Sequence, residues 1–407
     1  MEAHAAPRIL STVEAQREHA SPDERINVLF LTVDITIGGA ERLVLDLVRN
    51  LDRSVFAPSV GWFSHETAPR EFEELQIPLF PIRKGPGLDW QAMKRLGRIV
   101  REHRIDVINA HHFMSCFYAC HAARVANRVG LVYTEHSEAD VLSASGAWRA
   151  VGAGLLRWCD GVIGVSEGVS EALASHFWLD PDRVHTIENG VDLNRFGNRS
   201  IDRDEVRRRL GLAPGDIVIG HVANFRRNKN HLFLVRAFRE AFAHRPDVKL
   251  LLVGQGFPGD VENSEPEVAA FVADNGLTGS VRLLGYRPDV HDLLRAMDVF
   301  ALVSHKEGLP LSIIEAMASA LPVVATNIDG LRSVVRPDVT GILVEPDDVP
   351  RLTEALNQLV SDSALRHRMG TAAQTIARAR YALTRCIEDT AQVFTSVVAT
   401  RAGEGFR

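Results

Sequence analysis

The segment 307–315 holds the residues whose types and spacing most clearly predict chemistry. It follows an apolar run and leads into a helical pattern, so a strand is predicted to end near Ser304 and a helix to begin near Leu311. Free backbone N–H groups and the dipole at such a helix start form an anion site that suits a diphosphate. Glu307 in the loop and Glu315 one turn into the helix are carboxylates that can accept hydrogen bonds from sugar hydroxyls. The alternative is structural, with Glu307 solvated and Glu315 stabilised by the helix dipole, and spacing alone leaves both interpretations open.

A basic cluster at 224–231, with the sequence NFRRNKNH, is the second candidate. It follows a predicted strand, DIVIGHVA, and precedes a predicted helix, HLFLVRAF. Arg226 and Lys229 place positive charge at the carboxyl end of that strand, where a phosphate-bearing ligand would need it. A solvated basic loop is the alternative. It weakens once the cluster is paired with the acidic loop that follows another strand of the same predicted sheet.

Two glycine motifs follow predicted strands. Gly38 and Gly39 would allow a phosphate or sugar to approach the backbone closely, although a tight turn explains them as well. The segment 254–259 matches GxGxxG. A dinucleotide fingerprint needs its glycines to open a helix directly and an acidic residue about 20 positions later. Pro258 and its neighbours interrupt helix entry, so we do not expect NAD or FAD to bind there.

Histidines end two of the predicted strands in the first half of the chain. His111 follows DVINA and His136 follows LVYTE, so both are candidates for a cleft, with a structural hydrogen bond or a surface imidazole as the alternative. No third His or Cys with ligand spacing accompanies them, so we expect no metal site. The triplets Asp180–Asp182 and Asp202–Asp204 fall at turns or helix starts, and we interpret them as helix caps rather than as a metal–diphosphate site.

Short β-branched runs alternate with helical patterns along the chain, which is typical of parallel sheets flanked by helices. The run 26–33 is apolar at nearly every position, as in a central parallel strand. Two α/β units of similar size predict two Rossmann-like domains that face each other across a cleft. We expect a first domain at 25–195 and a second at 196–381. Ligands in such folds bind beyond the carboxyl ends of the strands.

Composition excludes several classes of protein. The chain has 407 residues, of which 46% are hydrophobic, with 46 Lys and Arg against 52 Asp and Glu, so it has no basic excess for nucleic acid. Its four cysteines cannot form a disulfide framework, which favours a reduced, cytoplasmic compartment. Residues 1–24 lack the apolar core of a signal peptide and are expected to be a disordered polar tail. No apolar run is long enough to span a membrane.

The basic stretch 91–104, QAMKRLGRIVREHR, has apolar residues at helical spacing. The favoured interpretation is an ordinary surface helix with its charged face in water. The alternative is weak peripheral contact with the inner face of a membrane.

Taken together, these features resemble the GT4-type (group 1) family of retaining glycosyltransferases, which have the GT-B fold. The resemblance runs from Ile26 to about Val398. The motifs that carry it are GGAERLVLDLVRNL, DVINAHH, TEHS, GVIGVSEGV, ENGVD, VANFRRNKNH, LLLVGQG, LLGYRPDV, EGLPLSIIEAMASALPVVAT and GILVEPDD. Their order along the chain makes the match far more specific than any one motif.

The resemblance implies transfer of a sugar from a nucleotide-diphosphate donor, with retention at the anomeric carbon and no metal or other cofactor. Glu307 is similar to the family's glutamate that faces the donor sugar, and Glu315 to the one that bonds the nucleoside ribose. Backbone amides around Leu309, Pro310 and Leu311 would hold the diphosphate. Lys229 would assist them.

The same resemblance implies that 25–195, joined by the C-terminal helix 382–400, is the acceptor-side domain and that 196–381 is the donor domain. Gly38 and Gly39 would approach the donor, and Arg287 lies in the segment similar to the family's base-contacting loop. His111 matches a first-domain histidine near the reacting centre, and His136 would line the acceptor side.

One position departs from the family pattern. The family pairs its lysine with an arginine five or six residues earlier, where this chain has Asn224 and Ala223. Either Arg226 reaches the phosphate from a reshaped loop, or one positive contact is missing.

The sequence thus predicts a cytoplasmic glycosyltransferase whose donor is a UDP-sugar in preference to a GDP-sugar. Its acceptor could be a saccharide, a lipid-linked intermediate or a small aglycone. The alternatives are a nucleotide-sugar epimerase of the same fold and a non-catalytic partner subunit that binds nucleotide sugars.

Overall fold

The computed structural model describes residues 25–36, 38–126, 129–197, 202–257 and 259–404. The predicted tail at 1–24 lies outside them. Strands in the described chain are β1 (Ile26–Thr32), β2 (Phe56–Trp62), β3 (Leu79–Pro81), β4 (Val107–His111), β5 (Gly130–Glu135), β6 (Gly161–Gly164), β7 (Val184–Thr186), β8 (Ile217–Val222), β9 (Val248–Val253), β10 (Val281–Leu283), β11 (Val299–Leu302), β12 (Val323–Thr326) and β13 (Gly341–Val344).

The helices alternate with these strands, as the sequence pattern predicts. They are α1 (Gly39–Asn50), α2 (Arg70–Glu73), α3 (Trp90–Glu102), α4 (Phe113–Ala126), α5 (Glu138–Ser143), α6 (Gly146–Trp158), α7 (Glu167–His176), α8 (Leu193–Gly197), α9 (Arg203–Arg209), α10 (His231–Phe242), α11 (Glu265–Asp274), α12 (Val290–Ala296), α13 (Leu311–Ala318), α14 (Asp329–Arg332), α15 (Val349–Ser361), α16 (Ser363–Arg380) and α17 (Leu383–Glu404).

The strands form two sheets. The first has the order β3-β2-β1-β4-β5-β6-β7 and the second the order β10-β9-β8-β11-β12-β13. All pairs of the second sheet are parallel, and its order is the 3-2-1-4-5-6 arrangement of doubly wound folds. In such a sheet the chain reverses its strand order between the first and fourth strands, here β8 and β11. Loops that leave the carboxyl ends of those two strands therefore diverge and leave room for a ligand.

The second sheet is stabilised by apolar packing on its helices. On α10, Leu234, Phe238 and Phe242 recur at four-residue spacing and are buried against strand residues such as Ile219 and Leu250. Burying a side chain of this size stabilises the fold by about 1.5–3 kcal/mol. This packing holds β8 in place and fixes where its carboxyl-end loop begins.

The described chain divides into two compact units. One comprises residues 25–134, 150–163 and 389–404, and the other comprises 135–149 and 164–388. This division groups 135–149 and 164–195 with the second unit. The domain bounds given in the sequence analysis remain a prediction.

The C-terminal helix, from residue 389 onward, belongs to the first unit. Phe394 contacts the Phe30 ring edge-on at 5.8 Å between centroids. A Cβ at Gly130 would lie 2.3 Å from Val397, so the strand approaches this helix at a glycine. The part of α17 from residue 389 onward therefore packs against the first sheet.

Candidate active site

Glu307 and Lys229 meet beyond the carboxyl ends of β8 and β11. The Lys229 Nζ donates to Glu307 Oε1 at 2.7 Å, and Ser304 Oγ donates to the same oxygen at 2.6 Å. The Glu307 side chain is only 8% exposed and that of Lys229 is 23% exposed. Two loops 78 residues apart in sequence are therefore joined by a partly buried ion pair at the point where the strand order reverses.

The Lys229 side chain is aimed by a tight turn. Residues Arg227–Lys229 form one 3₁₀ turn, and Asn230 follows in the left-handed conformation with φ 54° before α10 begins. The backbone N–H of His305 donates to the carbonyl oxygen of Asn228 at 2.8 Å, which ties this turn to the loop after β11. The sequence between β8 and α10 therefore orients the lysine toward Glu307.

The backbone on either side of Glu307 is closely packed. A Cβ at Gly308 would lie 1.8 Å from the carbonyl oxygen of His136, and a Cβ at Gly330 would lie 2.2 Å from the carbonyl oxygen of Glu307. Only glycine permits both approaches, so the loop is held between these neighbours. His136 thereby lies beside the Glu307 loop, through its main chain.

The first turn of α13 presents its backbone amides next to this loop. Pro310 is the N-cap residue, and the first backbone N–H groups of a helix have no carbonyl partner within the helix. The Nδ2 of buried Asn189 donates to the carbonyl oxygen of Leu309 at 3.0 Å, which fixes the entry into the helix. Leu311 and half-buried Glu315 lie one turn apart on the same helix face. The segment predicted to bind an anion, Leu309 to Leu311, therefore forms the entry into α13.

The two candidate arginines have other partners. Arg226 is 56% exposed and lies 3.5 Å from Asp260, away from the Lys229–Glu307 pair. Arg287 makes two hydrogen bonds to Asp289, which raise the pKa of Arg287 and lower that of Asp289. The structure therefore places Lys229 with Glu307 but does not bring either arginine to them.

The sequence predicts that the GxGxxG segment does not open a helix, and its described residues, 254–257 and 259, do not. β9 ends at Val253 and the next helix begins at Glu265, whose carboxylate accepts from the N–H of Gly256 at 2.6 Å. Gly254 has φ 143°, and a Cβ there would lie 2.0 Å from the carbonyl oxygen of Ala223. At Gly254 the loop after β9 therefore lies directly against the loop after β8.

The interpretation of the two Asp-x-Asp triplets as caps is confirmed. Asp180 accepts a hydrogen bond from the N–H of Asp182 at 3.2 Å, and Asp202 accepts one from the N–H of Asp204 at 3.0 Å. Each first aspartate is the N-cap of a short helix.

The two glycines at the start of α1, Gly38 and Gly39, differ in how much space surrounds them. Gly38 is the N-cap, its N–H donates to Glu41 Oε2 at 3.1 Å, and a Cβ would lie 2.8 Å from that oxygen. A Cβ at Gly39 would meet nothing within 4 Å, so packing does not require a glycine there. Burial raises the pKa of Glu41.

His111 is the last residue of β4 and is fully buried. Burial lowers its pKa to about 3, so the imidazole is neutral at pH 7. Its ring packs 6.3 Å from that of Phe30. The next residue, His112, completes the DVINAHH motif. It has φ 67° and is only half-buried, so the two neighbouring imidazoles lie in different environments.

Three residues that shape the Glu307 loop were missed by the sequence analysis. Ser304 bonds the Glu307 carboxylate, Asn189 bonds the Leu309 carbonyl, and Gly330 lies against the Glu307 main chain. Ser304 carried a local signal, because it lies at a strand end three residues before Glu307. Asn189 lies in the ENGVD motif, but that motif does not indicate its partner, and Gly330 carries no local signal. Both partners are distant in sequence.

The stretch 91–104 forms α3, which Asp89 caps. Its solvent face carries Trp90, Lys94, Arg98 and Arg101, residues that share one side of the helix, and the Trp90 ring is 62% exposed. No helix within the described residues is long and apolar enough to cross a membrane.

Comparison with known proteins identifies two family models. Residues 202–376 match "Glycosyl transferases group 1" and residues 37–195 match "Glycosyltransferase Family 4". Among curated relatives, the chain is 27% identical to the UDP-Gal:alpha-D-GlcNAc-diphosphoundecaprenol alpha-1,3-galactosyltransferase of Escherichia coli, over 68% of this chain and 72% of the relative. It is 30% identical to D-inositol 3-phosphate glycosyltransferase 1 of Catenulispora acidiphila, over 64% of this chain and 65% of the relative.

Among solved structures, Anabaena Alr3699/HepE in complex with UDP-glucose matches with a TM-score of 0.80 and 26% identity. The match covers 91% of this chain and 100% of that one. The same protein has also been solved with UDP and glucose, with a TM-score of 0.80 and 25% identity.

Proposed function

The chain belongs to the GT4-type, group 1 glycosyltransferases of the GT-B fold, and we propose that it transfers a sugar from a UDP-sugar to an acceptor hydroxyl with retention at the anomeric carbon. The observation that carries this proposal is the Lys229–Glu307 pair beside the N-terminus of α13. UDP is favoured over GDP because structural neighbours bind UDP and UDP-glucose and a relative is named for UDP-Gal. Retention is tested by NMR: the coupling constant of the product's anomeric proton gives its anomeric configuration, which must match that of the donor.

Lys229 is suited to bind the donor diphosphate. Its ammonium group has three N–H donors, of which one is directed at Glu307. The other two can donate to phosphate oxygens, where negative charge develops as the sugar–phosphate bond breaks. Amides at the start of α13 stabilise the same charge, and fixed donors of this kind do so without reorganisation. We propose that the positive charge comes from these groups, with no metal required.

Glu307 is suited to bind the donor sugar. Both of its hydrogen bonds within the described chain, from Lys229 and Ser304, are made to Oε1. Its second oxygen, Oε2, can then accept from a sugar hydroxyl while the first stays fixed. A carboxylate held in this way also favours the positive character that the sugar acquires in the transition state.

The other predicted roles are proposed on the resemblance. Glu315 would bond the ribose, and the segment around Arg287 would contact the base. Gly38 and Gly39 would approach the donor, His111 would lie near the reacting centre, and His136 would line the acceptor side. Arg226 would need to leave Asp260 to reach a phosphate. The acceptor is proposed to be a saccharide or lipid-linked intermediate, with a small aglycone equally compatible.

Thermal unfolding in the presence of UDP-, GDP- and ADP-sugars, with a chelator present, tests the donor. A ligand at 100 times its Kd adds about 2.7 kcal/mol of stability. We expect a selective rise in Tm with one UDP-sugar. A rise only with GDP-sugars would overturn the choice of base, whereas no rise with any donor would overturn the donor site. Incubation of that donor with candidate acceptors must then yield a product of increased mass, which an epimerase would not give.

We propose that the protein is cytoplasmic and that the exposed face of α3 makes weak contact with an anionic membrane surface. Trp90 suits the interfacial region of a bilayer, and Lys94, Arg98 and Arg101 suit anionic headgroups. We expect the wild-type protein to co-sediment with vesicles containing phosphatidylglycerol and not with pure phosphatidylcholine.

Changing Lys94 and Arg98 together to glutamate should abolish this binding, since each basic residue near the surface contributes about 1 kcal/mol. Arg351→Glu, an exposed change on α15, is the matched control and should bind as the wild type does. Equal sedimentation of all three proteins, or none by the wild type, rules out this surface.

A further inference from the structure

Two buried histidines that the catalytic roles above do not use lie behind the Lys229 turn. His221 is within β8 and fully buried, and His231 is the first residue of α10 and 1% exposed. Their rings pack edge to face, with centroids 4.4 Å apart. Burial lowers the pKa of His221 to about 4 and that of His231 well below its usual value, so both rings are neutral at pH 7. Burying two imidazoles sacrifices hydration that apolar side chains would not need, which calls for an explanation.

His221 links two strands where their backbone pairing ends. β8 and β11 are paired at Ile219–Val299 and Gly220–Phe300. At the next position, the His221 ring Nδ1 lies 2.9 Å from the carbonyl oxygen of Ala301. A carbonyl only accepts, so Nδ1 carries the hydrogen and donates. The side chain thereby continues the connection between the strands at the point where they diverge.

The β8 side of this link reaches Lys229 through ring stacking. His231 stacks on Phe225 with centroids 4.1 Å apart and an interplanar angle of 13°, and it also packs edge to face against the His221 ring. Phe225 begins the segment that leads to Lys229, and His231 closes it two residues beyond. The stack therefore fixes both ends of the lysine turn to His221.

The β11 side of the link reaches Glu307. Ala301, which accepts from His221, is three residues before Ser304, and Ser304 donates to the Glu307 carboxylate. The carbonyl oxygen of Ser304 in turn accepts from Thr326 Oγ1 at 2.6 Å, which holds this segment against β12. The imidazole of His221 is thus a fully buried side chain that joins the two segments behind the Lys229–Glu307 pair.

We propose that His221 is a positioning residue for glycosyl transfer, which sets the separation of Lys229 and Glu307 through its Nδ1–H bond to Ala301. This inference rests on the proposed function of that pair. The residue does not touch the donor. It acts because a displacement of about 1 Å between groups that must engage one substrate can lower the rate by about 10²-fold.

Substitutions that keep or remove the Nδ1–H donor test this role. His221→Asn retains an N–H donor near the Nδ1 position, whereas His221→Leu has similar bulk to histidine and no donor. We expect kcat at saturating donor to fall about tenfold to a hundredfold in His221→Leu and to stay within about threefold of wild type in His221→Asn. His231→Phe, which keeps a stacked ring, should resemble His221→Asn.

A merely structural role would affect these variants differently. Asparagine leaves more empty volume than leucine, so loss of packing alone predicts that His221→Asn has the lower Tm and the lower kcat. Equal kcat in His221→Leu and wild type, or a lower kcat in His221→Asn than in His221→Leu, overturns the proposal. Should His221→Leu fail to fold, His221→Gln replaces it, because its longer side chain moves the amide donor away from the Nδ1 position.

The same experiment separates this inference from the proposed function. Donor binding to the wild-type protein is measured first by the rise in Tm. If the wild type binds no nucleotide sugar and makes no product, the proposed function fails. If it does both and His221→Leu matches it in kcat, only the role of His221 fails.

Discussion

Replacing Glu307 with glutamine should lower kcat by about 10²–10³-fold, with a much smaller effect on donor affinity. Glutamine preserves the shape of the side chain but removes the charge that favours the positively charged sugar in the transition state, and fixed groups of this kind contribute about 10²–10³-fold to rates. The carboxylate is held in one position by the ion pair with Lys229 at 2.7 Å and the hydrogen bond from Ser304 at 2.6 Å. A water molecule would be neither fixed in this way nor charged, so it could not replace the carboxylate in the variant. Initial rates of nucleotide release at saturating donor and acceptor measure the effect.

Glu354→Gln is the matched control for this prediction. Glu354 lies on α15, its side chain is 66% exposed, and its ion pair with Arg351 is a surface pair of small energetic value. It should retain wild-type kcat and Tm. If Glu307→Gln were as active as Glu354→Gln, the carboxylate of Glu307 would play no part in the chemistry and the proposed active site would be wrong.

The sequence predicted the elements that carry the site because each is long or strongly apolar. β8 at 217–222 has the predicted bounds, and α13 begins at the predicted residue, Leu311. β11 is buried throughout, and its continuous apolar run is typical of a central parallel strand. Lys229 and Glu307 flank these elements, so predicting the strands also predicted that the two side chains share one sheet edge.

The strands that the sequence analysis missed all lie at sheet edges. β3 and β7 have three residues each and end the first sheet, and β13 has four and ends the second. Unlike β11, whose four residues are all buried, these short strands are each partly exposed, and so short a segment does not by itself distinguish a strand from a loop. Pairing with a neighbour, which the local sequence does not encode, is what makes them strands.

The arginines show where local pattern stops predicting a site. Arg226 was placed near the phosphate because of its position beside Lys229, yet its guanidinium lies with Asp260, which comes from the loop after β9. Arg287 is bound by Asp289, two residues away. A side chain's partner depends on loops that meet only in the folded chain, so residue type and spacing predicted the charge of this edge but not its distribution.

Gly308 shows the same limit for the backbone. The sequence marks it as part of a loop, and its φ is not in the left-handed region that would have favoured glycine locally. The need for glycine arises from the His136 carbonyl, 172 residues earlier in the chain, whose oxygen would be 1.8 Å from a Cβ. Close approach between distant segments leaves no local pattern.

Replacing Lys229 with alanine should weaken binding of the donor nucleotide by about 10²-fold or more and lower kcat as well. Each hydrogen bond to a charged group contributes about 1.5–3 kcal/mol, and Nζ has two donors left for phosphate oxygens. The loss should be seen for UDP and not for uridine, which has no phosphate, when Kd is measured by titration calorimetry. Lys306→Ala, an exposed lysine one residue before Glu307, is the matched control and should bind UDP normally. Equal weakening for UDP and uridine would show a collapsed loop and contradict a phosphate contact.

The Lys229 and Glu307 substitutions should not be additive. Lys229→Ala removes the phosphate contact and also the group that fixes Glu307 Oε1, so part of the loss of kcat in Lys229→Ala is already contained in Glu307→Gln. The double variant should therefore retain more activity than the product of the two single effects predicts, by a coupling of about 0.5–3 kcal/mol. Simple additivity in a double-mutant cycle would mean that the two side chains act independently in the donor complex, and that their ion pair breaks when the donor binds.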